Sequence, residues 1–556
     1  MHIRLIAFNC RYSHSCLALF YVRQELARHL PSCSCTIEQF TINDPYYETL
    51  LRISGEEADA LFFSVYIWNA TYLCRLLTDL HRLLPNLPLV LGGPQAAELR
   101  ATLTFRPTVV HHEIEGVAPD FYRDLRAGVL GSDYQSLPVK LFSSPYIQED
   151  FTRQLKNRNI YYESSRGCPF FCAYCLSSLD RGLRVKDLSQ VKEELLAILD
   201  HRPTMIRFVD RTFNADPSRT LTLWQFLAAQ ADRGTSFHFE IAPDLFTEAL
   251  FQFLEGVPEG LFQFEIGIQS TNRETLVAVN RKMDLTRSLA TIRRLKEIGT
   301  VHLHVDLILG LPLETAESFA QGVRDVLKTE PHYLQMGLLK VLPGTEIAKR
   351  VTAYGIIASQ APPYQVLATQ WLDHPTLARL YWLGECVEAF YNKGYFRTFF
   401  SYLIHDNKDL YLFFDQLVSA CLKREFFSLA KTQAFMNDIL YQFVASRPDA
   451  GLCHELLTFD WLLCGHRFLP EIFHQDINAY RDLLWHQAPA EIPALYTAKE
   501  RNMFFKRGIF YKFSARVLSL RPQLACPADV SLGFFKDHDQ AKTTVMVIGK
   551  PYPMSS

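Results

Sequence analysis

Short apolar segments alternate with longer helical segments over roughly the first two thirds of the chain, and this rhythm constrains the fold most strongly. Apolar runs that are bounded by turn residues and separated by helical stretches are typical of parallel strands joined by crossover helices. In the first 130 residues we expect strands at residues 3–8, 36–40, 60–65, 89–91 and 109–111. The pattern predicts a doubly wound, Rossmann-like parallel sheet, in which ligands bind at the carboxyl ends of the strands.

A second alternating series begins near residue 161. We expect its strands at residues 161–163, 205–209, 237–241, 261–266, 301–305 and 333–338. Such a series describes a partial or full (β/α) barrel, whose active site lies at the carboxyl ends of the strands. From about residue 361 the chain has long helical segments rich in aromatic residues, which predicts a mostly α-helical domain. We therefore predict an α/β protein with a sheet domain (1–135), a linker (136–157), a barrel (158–355) and a helical domain (356–556).

Charge and hydropathy exclude several classes of protein. The 57 Lys and Arg residues nearly balance the 59 Asp and Glu residues, and 48% of the chain is hydrophobic. This composition excludes a disordered chain and an electrostatically driven nucleic-acid binder. The chain has no run of eighteen apolar residues, and its first residues form a strand-like segment instead of a signal peptide. We expect a soluble cytoplasmic protein with no membrane span and no nucleic-acid partner.

The thirteen cysteines are an odd set spread over a long chain, unlike a secreted disulfide framework. Ten of them are expected to be small packing residues. The other three, Cys168, Cys172 and Cys175, form a Cys-x3-Cys-x2-Cys loop directly after the first strand of the second series. A structural zinc site needs a fourth ligand, and no second Cys/His pair follows at finger spacing. Three thiolates on one loop suit three irons of a [4Fe–4S] cluster, with the fourth iron open to another ligand.

This loop, with an aromatic residue before its last cysteine, resembles the hallmark of the radical S-adenosylmethionine (SAM) enzymes. The resemblance implies that the open iron binds SAM and that electron transfer cleaves SAM to a 5′-deoxyadenosyl radical. Later segments resemble those that hold SAM in the oxygen-independent coproporphyrinogen oxidase branch. They imply that Glu240, Gln269 and Asp306 contact amino or ribose groups, and that Arg281 binds the carboxylate.

Two further residues are candidate SAM contacts by the same resemblance. Tyr174 is the aromatic residue of the cysteine loop, and Asp210 follows the second strand, where the family usually has a glycine-rich motif instead. Two alternatives stay open from the sequence. Asp306 could be a strand-end cap, and Arg281 could form a surface ion pair.

The first domain resembles the cobalamin-binding module of the B12-dependent radical SAM enzymes, and the tail resembles an uncharacterised C-terminal extension of that family. The module's usual Asp-x-His-x-x-Gly loop is absent from residues 9–16. Cobalt therefore either lacks a protein imidazole, with His14 in a turn or hydrogen-bonding on the phosphate side, or takes His14 as its lower ligand. A dinucleotide is the alternative ligand, but no Gly-x-Gly-x-x-Gly follows the first strand. The candidate cobalamin contacts are Arg11, Tyr12, His14, Ser64, Val65, Tyr66, Trp68, Gly92, Gly93, Pro94, Glu115 and Gly116.

The resemblance implies two cofactors that face each other across the mouth of the barrel. The favoured function is transfer of a methyl group from methylcobalamin to an unactivated carbon of an unknown small-molecule or peptide substrate, through the 5′-deoxyadenosyl radical. A non-methylating rearrangement, cyclisation or oxidation is the alternative, and a non-enzymatic iron–sulfur or cobalamin-binding protein is a third. An electron donor such as flavodoxin or ferredoxin is the expected partner.

Overall fold

The computed structural model describes residues 1–180, 182–466, 469–474, 476, 478, 481–487, 501–520, 530–536, 543–547 and 550–552. The chain divides into two compact units. One comprises Met1–Gly322 and Met336–Leu377, and the other comprises Val323–Gln335 and Ala378–Ser556. The domain boundaries drawn from the sequence remain predictions. None of the described helices is both long enough and apolar enough to cross a membrane.

The first unit begins with a parallel sheet in the order β2-β1-β3-β4-β5-β6. Its strands are β1 (His2–Asn9), β2 (Ser34–Thr41), β3 (Ala60–Ser64), β4 (Leu89–Gly92), β5 (Thr108–Val110) and β6 (Asp133–Tyr134). The helices between them are Leu17–His29, Tyr46–Gly55, Ala70–Leu83, Ala96–Thr102 and Pro119–Ala127. The predicted doubly wound sheet is confirmed, and a two-residue sixth strand, too short for a periodic signal, is added to it.

Burial explains why β1 lies inside this sheet. Ile3, Leu5 and Ile6 are fully buried, and so is the polar Arg4 among them. The Arg4 guanidinium donates to Glu38 at 2.6 Å and to the Ile53 carbonyl at 2.7 Å, which offsets the cost of burying its charge. The chain leaves β1 towards β2 on one side and β3 pairs on the other. This reversal of strand order is the point at which doubly wound sheets bind ligands.

The second sheet of this unit is an open partial barrel in the order β14-β13-β12-β11-β10-β7, with β7 and β14 at its edges. Strands in this part of the chain are β7 (Ile160–Tyr162), β8 (Ser165–Arg166), β9 (Arg184–Val185), β10 (Met205–Phe208), β11 (Ser236–Ile241), β12 (Phe262–Gln269), β13 (Val301–Leu309) and β14 (Tyr333–Leu338). The helices are Gln148–Thr152, Leu188–Leu199, Pro217–Ala228, Glu248–Glu255, Arg273–Ala278, Leu285–Ile298, Ala316–Leu327 and Glu346–Lys349. The prediction of a partial or full barrel is confirmed in its partial form.

Strands β12 and β13 extend beyond their predicted ends. In β12, Phe262, Phe264 and Ile266 are buried while the alternate positions, including Glu265 and Gly267, are only partly buried. Such alternation places the partly buried set on the inner face of the barrel. Gly267 and the polar residues Gln269 and Asp306, which lie beyond the predicted strand ends, therefore belong to these strands, and the two polar side chains are on the inner face.

The remaining elements include a short antiparallel pair, β15 (Ile357–Ala358) and β16 (Val366–Ala368). Helices follow at His374–Cys386, Arg397–His405, Leu410–Lys423, Gln433–Val444, Ala450–Leu463, Arg481–His486, Arg501–Arg507 and Ala515–Ser519, with a π-helical segment at Val387–Asn392. A four-stranded antiparallel sheet is formed by β17 (Ile509–Phe513), β18 (Val530–Lys536), β19 (Thr543–Val547) and β20 (Lys550–Tyr552). The mostly helical character is confirmed, but this sheet was not expected from the sequence.

Aromatic packing holds the helices of the second unit together. Phe400 stacks on Phe414 with ring centroids 5.3 Å apart, and both rings are buried. The carboxylate of Asp460 accepts hydrogen bonds from the backbone N–H groups of Thr398 and Phe399, at the start of the helix Arg397–His405. Among the cysteines expected to serve packing, Cys386, Cys421 and Cys453 are fully buried. Cys526 lies outside the described residues.

Candidate active site

A cavity of about 790 Å³ lies at the carboxyl ends of β1, β3, β4 and β5. Its size is towards the upper end of the range of about 300–1,000 Å³ for small-molecule sites. The cavity lies where the strand order reverses, which is where ligands bind in a doubly wound sheet of the predicted kind. Eight of the candidate cobalamin contacts line it, namely His14, Ser64, Tyr66, Trp68, Gly92, Gly93, Pro94 and Glu115.

The other four candidates do not line this cavity, and the structure gives several of them other contacts. Tyr12 is 60% exposed, and the Arg158 guanidinium lies 4.2 Å from its ring centroid. Val65 is buried, and its backbone N–H donates to the Gly92 carbonyl at 2.8 Å. Gly116 passes so close to the Leu137 carbonyl that a Cβ would lie 1.8 Å from its oxygen. Arg11 is exposed in the loop after β1.

Gly93 and two aromatic residues shape the wall at the ends of β3 and β4. Gly93 has a φ of +102°, and a Cβ there would lie 2.6 Å from the Val65 carbonyl oxygen, so only glycine fits without strain. The rings of Tyr66 and Trp68 stack with centroids 4.3 Å apart, and the indole N–H donates to the Phe8 carbonyl at 3.2 Å. The wall thus combines close backbone approach with flat aromatic surface.

His14 points at the junction between the sheet and the barrel. Its Nδ1 forms a 2.5 Å hydrogen bond with the hydroxyl of Tyr161 on β7. Burial lowers the pKa of His14, and the charges of Arg207 and Arg11 lower it further. A neutral imidazole with Nδ1 engaged leaves Nε2 for another partner. The role of His14 as a cobalt ligand stays a prediction.

A second cavity, of about 220 Å³, is lined by the three cysteines of the loop. Five of the six candidate SAM contacts also line it, namely Tyr174, Glu240, Gln269, Arg281 and Asp306. They come from the cysteine loop, from β11, β12 and β13, and from the segment that follows the helix Arg273–Ala278. The tertiary structure thus brings together residues that are more than a hundred positions apart in the sequence.

The cysteine loop is held in place by its backbone and by its neighbours. It lies between β8 and β9, which pair antiparallel. Gly167 has a φ of +87°, and a Cβ there would lie 1.9 Å from the Gly182 carbonyl oxygen. Arg281 donates to the Cys172 Sγ at 3.6 Å and also to the Gly267 carbonyl. These contacts fix the position of Cys172 and of the loop around it.

Unpartnered polar atoms in this cavity fit a bound ligand. Among the described residues, the buried Tyr174 hydroxyl and the Arg281 Nε have no hydrogen-bond partner. Buried polar groups normally have one, so these atoms are suited to an additional polar molecule. No three His, Cys, Asp or Glu side chains of the described residues converge as ligands of a single metal ion. A [4Fe–4S] cluster takes one thiolate at each iron, so its cysteines need only surround the cluster.

Asp210 lies apart from this cavity, contrary to the expectation that it contacts SAM. Its carboxylate is buried and accepts hydrogen bonds from the Ser164 N–H at 2.9 Å, the Ser164 hydroxyl at 2.6 Å and the Ser165 hydroxyl at 2.6 Å. Burial raises the pKa of Asp210, and these hydrogen bonds oppose the rise. With its acceptor sites engaged by the segment before the cysteine loop, Asp210 positions that segment.

Three carboxyl groups face the second cavity: Glu240, Glu265 and Asp306. Burial raises the pKa of Glu240 to about 7; the other two carboxylates also raise it, and Arg211 lowers it. Glu265 lies 3.1 Å from His238, and this hydrogen bond holds the pKa of Glu265 below its ordinary value. Glu265 was not among the residues expected from the sequence, although its spacing of two from Gly267 could have placed it on the same face of β12.

Arg166 was also missed, although it directly precedes Gly167 and Cys168. Its guanidinium lies 2.8 Å from Glu115 in the first cavity wall, 2.8 Å from Glu163 and 3.3 Å from Glu113. It therefore ties the loop after β5 to the start of the cysteine loop. Arg211 is a third missed residue, and it lines both cavities together with Ser177.

Comparison with known families gives two matches along the chain. Residues 162–326 match the Radical SAM superfamily, and residues 352–523 match a family described as a protein of unknown function, DUF4080. The first match covers the cysteine loop and β10–β13, the elements that supply most of the second cavity.

Curated relatives share a longer stretch. The 2-(S-pantetheinyl)-carbapenam-3-carboxylate methyltransferase of Streptantibioticus cattleyicolor is 26% identical over 352 residues, which are 54% of this chain and 50% of that protein. The cobalamin-dependent radical SAM methyltransferase TokK of Streptomyces tokunonensis is 23% identical over 339 residues, with the same coverage of 54% and 50%. The chain thus spans about half the length of the curated relatives that it matches.

Solved structures show the same fold. The cobalamin-dependent SAM radical enzyme OxsB, with aqua-cobalamin and SAM bound, matches with a TM-score of 0.57 at 12% identity, over 83% of this chain and 78% of that one. The radical SAM methyltransferase TsrM from Kitasatospora setae matches with a TM-score of 0.51 at 14% identity, over 65% of this chain and 79% of that one. Over its superfamily match at residues 162–326, its curated relatives and its fold, the chain is thus similar to cobalamin-dependent radical SAM enzymes.

Proposed function

We propose that this chain is a methyltransferase that uses cobalamin and SAM to methylate an unactivated carbon of a small-molecule or peptide substrate. The observation that carries the proposal is the adjacency of the two cavities, since Ser177 and Arg211 line both. One cavity lies at the carboxyl ends of a doubly wound sheet and the other is bounded by three cysteines. A substrate at their junction would reach both cofactors.

Each cofactor is assigned residues that suit its chemistry. Cys168, Cys172 and Cys175 would hold the [4Fe–4S] cluster, and Arg281 would bind the SAM carboxylate beside it. Ser64, the stacked Tyr66 and Trp68, and the Gly92–Pro94 turn would hold cobalamin. When bound, these groups supply the electron for SAM cleavage and the methyl group, which is chemistry that side chains alone do not perform.

The protein's own contribution is binding, orientation and the local charge balance. Glu240 on β11 and Asp306 on β13 both line the second cavity, and their acidic side chains are suited to an ammonium group. Arg281 lies on the cysteine side of the same cavity and is suited to a carboxylate. A methionine moiety carries both groups, so the two sites together would fix its orientation.

The proposed reaction needs a partner that donates electrons. Cleavage of SAM requires an electron from outside the protein, and we propose a flavodoxin or a ferredoxin as its source. The test replaces chemical reductant by reduced flavodoxin and measures 5′-deoxyadenosine. Absence of 5′-deoxyadenosine with flavodoxin and with ferredoxin, while dithionite supports its formation, would contradict this choice of donor.

The experiment for methyl transfer uses anaerobically reconstituted protein with cobalamin, reductant, methyl-deuterated SAM and a metabolite extract as the pool of substrates. We expect a product with the label in a carbon-bound methyl group, together with 5′-deoxyadenosine and cobalamin-dependent S-adenosylhomocysteine. Formation of 5′-deoxyadenosine without S-adenosylhomocysteine or labelled product would contradict methyl transfer. That outcome would instead support a non-methylating rearrangement, cyclisation or oxidation.

A further inference from the structure

Arg211 lies at the junction of the two cavities. It follows β10 in the sequence and lines both cavities. Its charge acts on Tyr66 in the first cavity as well as on Glu240 in the second, lowering the pKa of each against the larger effect of burial. A group bound to Arg211 would therefore lie between the two proposed cofactor sites.

The guanidinium of Arg211 has N–H donors that are not used in hydrogen bonds to the described residues. Among the described residues it donates no hydrogen bond, and its one ion-pair contact is with Glu240 at 3.7 Å. The side chain is 53% exposed. Glu240 is a weak partner near neutral pH because burial raises its pKa to about 7, so part of its population is uncharged. An arginine carries five N–H donors in a fixed fork, and here that fork is open to the cavities.

The other arginines of the two cavities are engaged. Arg166 lies within 3.3 Å of three carboxylates. Arg281 donates to a carbonyl and to the Cys172 sulfur, and its remaining donor, Nε, is the one that the proposed function gives to the SAM carboxylate. Arg211 thus differs from both in having neither a close carboxylate nor a carbonyl acceptor among the described residues.

We infer that the substrate carries an oxyanion group, a carboxylate or a phosphate, and that Arg211 binds this group at the junction of the two cavities. The inference rests on the proposed function, because that function requires a substrate that reaches both cavities. The planar guanidinium matches the two oxygens of a carboxylate or phosphate and binds them by paired, charge-assisted hydrogen bonds. Such an anchor would orient the rest of the substrate between the two cofactors.

The test uses the holoprotein with cluster, cobalamin and saturating SAM, and three probes of matched chain length: hexanoate, hexylphosphonate and the neutral hexanamide. Binding is measured by equilibrium dialysis. We expect at least one anion to bind about tenfold more tightly than the amide, as a charge-assisted pair implies. The tighter of the two anions identifies the group as carboxylate or phosphate.

Three variants then locate the binding. Arg211→Gln should abolish the preference for the anion, and Arg211→Lys should retain part of it, because lysine keeps the charge but loses the fork. Arg293→Gln is the matched control, since Arg293 is an exposed arginine on the helix Leu285–Ile298 and should leave the preference intact. Circular dichroism verifies that each variant is folded.

Two results would overturn the inference. One is an anion preference that is absent in the wild-type protein or survives in Arg211→Gln. The other is a tenfold weaker affinity for SAM in Arg211→Gln with unchanged probe binding, since Arg211 would then serve SAM. The proposed function is tested separately by the transfer of label from methyl-deuterated SAM. If no label is transferred but the anion preference still depends on Arg211, the proposed function fails and the inference about Arg211 stands.

Discussion

Replacing Arg166 by methionine tests how the cysteine loop is tied to the first sheet. The side chain is 9% exposed, as is that of Glu115, and Glu163 is 18% exposed. Its guanidinium also lies 4.3 Å from the ring centroid of Phe142 and 4.7 Å from that of Tyr21. Methionine keeps most of the apolar contact but removes the charge. The variant therefore isolates the ion pairs.

The expected loss in the free energy of unfolding follows from the carboxylates that remain without their cation. Removing one partner of a buried ion pair costs about 3–5 kcal/mol, because the other charge stays buried without compensation. Here Glu115 and Glu163 lose their only ion-pair partner among the described residues, while Glu113 keeps Arg184, so we expect a loss within that range or above it. A loss of about 3 kcal/mol corresponds to a more than hundredfold change in the folding equilibrium.

The assay is urea unfolding followed by circular dichroism, with the free energy extrapolated to water. Arg123→Met is the control for removal of a surface cation, because Arg123 is 68% exposed and its partners Asp120 and Asp124 are 64% and 24% exposed. It should unfold like the wild-type protein. A second comparison adds Glu115→Gln and Glu163→Gln to Arg166→Met. This triple variant should recover at least half of the loss, since the uncompensated charges are gone.

The reasoning is refuted if Arg166→Met costs less than about 1 kcal/mol, the value typical of an exposed pair. It is also refuted if the triple variant is no more stable than Arg166→Met. Either result would mean that packing, and not charge compensation, carries the role of Arg166.

The remaining predictions concern the two cavities. Replacement of Cys168, Cys172 and Cys175 by Ala should remove the iron–sulfur absorption and leave cobalamin bound, because the thiolates and the first cavity are separate; cluster retention would overturn the ligand assignment. Affinity for SAM should increase about tenfold between pH 6 and pH 8, because Glu240, with a pKa raised to about 7, accepts from an ammonium only when ionised. Glu240→Gln should flatten this profile in equilibrium dialysis, and a pH dependence that persists would assign it to another group. Gly93→Ala should destabilise the fold by at least about 1–2 kcal/mol and weaken cobalamin binding, because φ is +102° and the new Cβ meets the Val65 carbonyl; an alanine variant with unchanged unfolding and cobalamin affinity would contradict this.

Much of the architecture could be predicted because its strands and helices follow local patterns of hydropathy. A buried strand such as β1 is a continuous apolar run, and the helix after it has its own period, so each element is visible in a short window. Strand ends were less predictable. The predicted strands ended at residues 266 and 305, before Gln269 and Asp306, whereas both residues lie within strands whose inner face is polar. Hydropathy does not distinguish a polar barrel interior from a loop.

Some residues of the candidate site could likewise be predicted from the sequence, and others could not. The three cysteines were found because their spacing is short and specific. Asp210 was assigned to SAM from its position after a strand, but its partners Ser164 and Ser165 lie more than forty residues earlier in the chain. Arg211, its neighbour, was passed over and proved to line both cavities. The direction of one side chain relative to the next is a tertiary property that spacing alone does not determine.

The sequence by itself determined the parallel α/β class, the cysteine loop and the order of the modules, because these depend on short-range patterns of hydropathy and residue type. Only the tertiary structure decided that the barrel is open, that three carboxyl groups share one cavity and that Arg166 ties the cysteine loop to the first sheet. It also decided the raised pKa of Glu240, which depends on burial and on charges brought together from neighbouring strands of the barrel. Such electrostatic effects fall off steeply with distance through solvent, so they exist only once folding has placed the groups side by side.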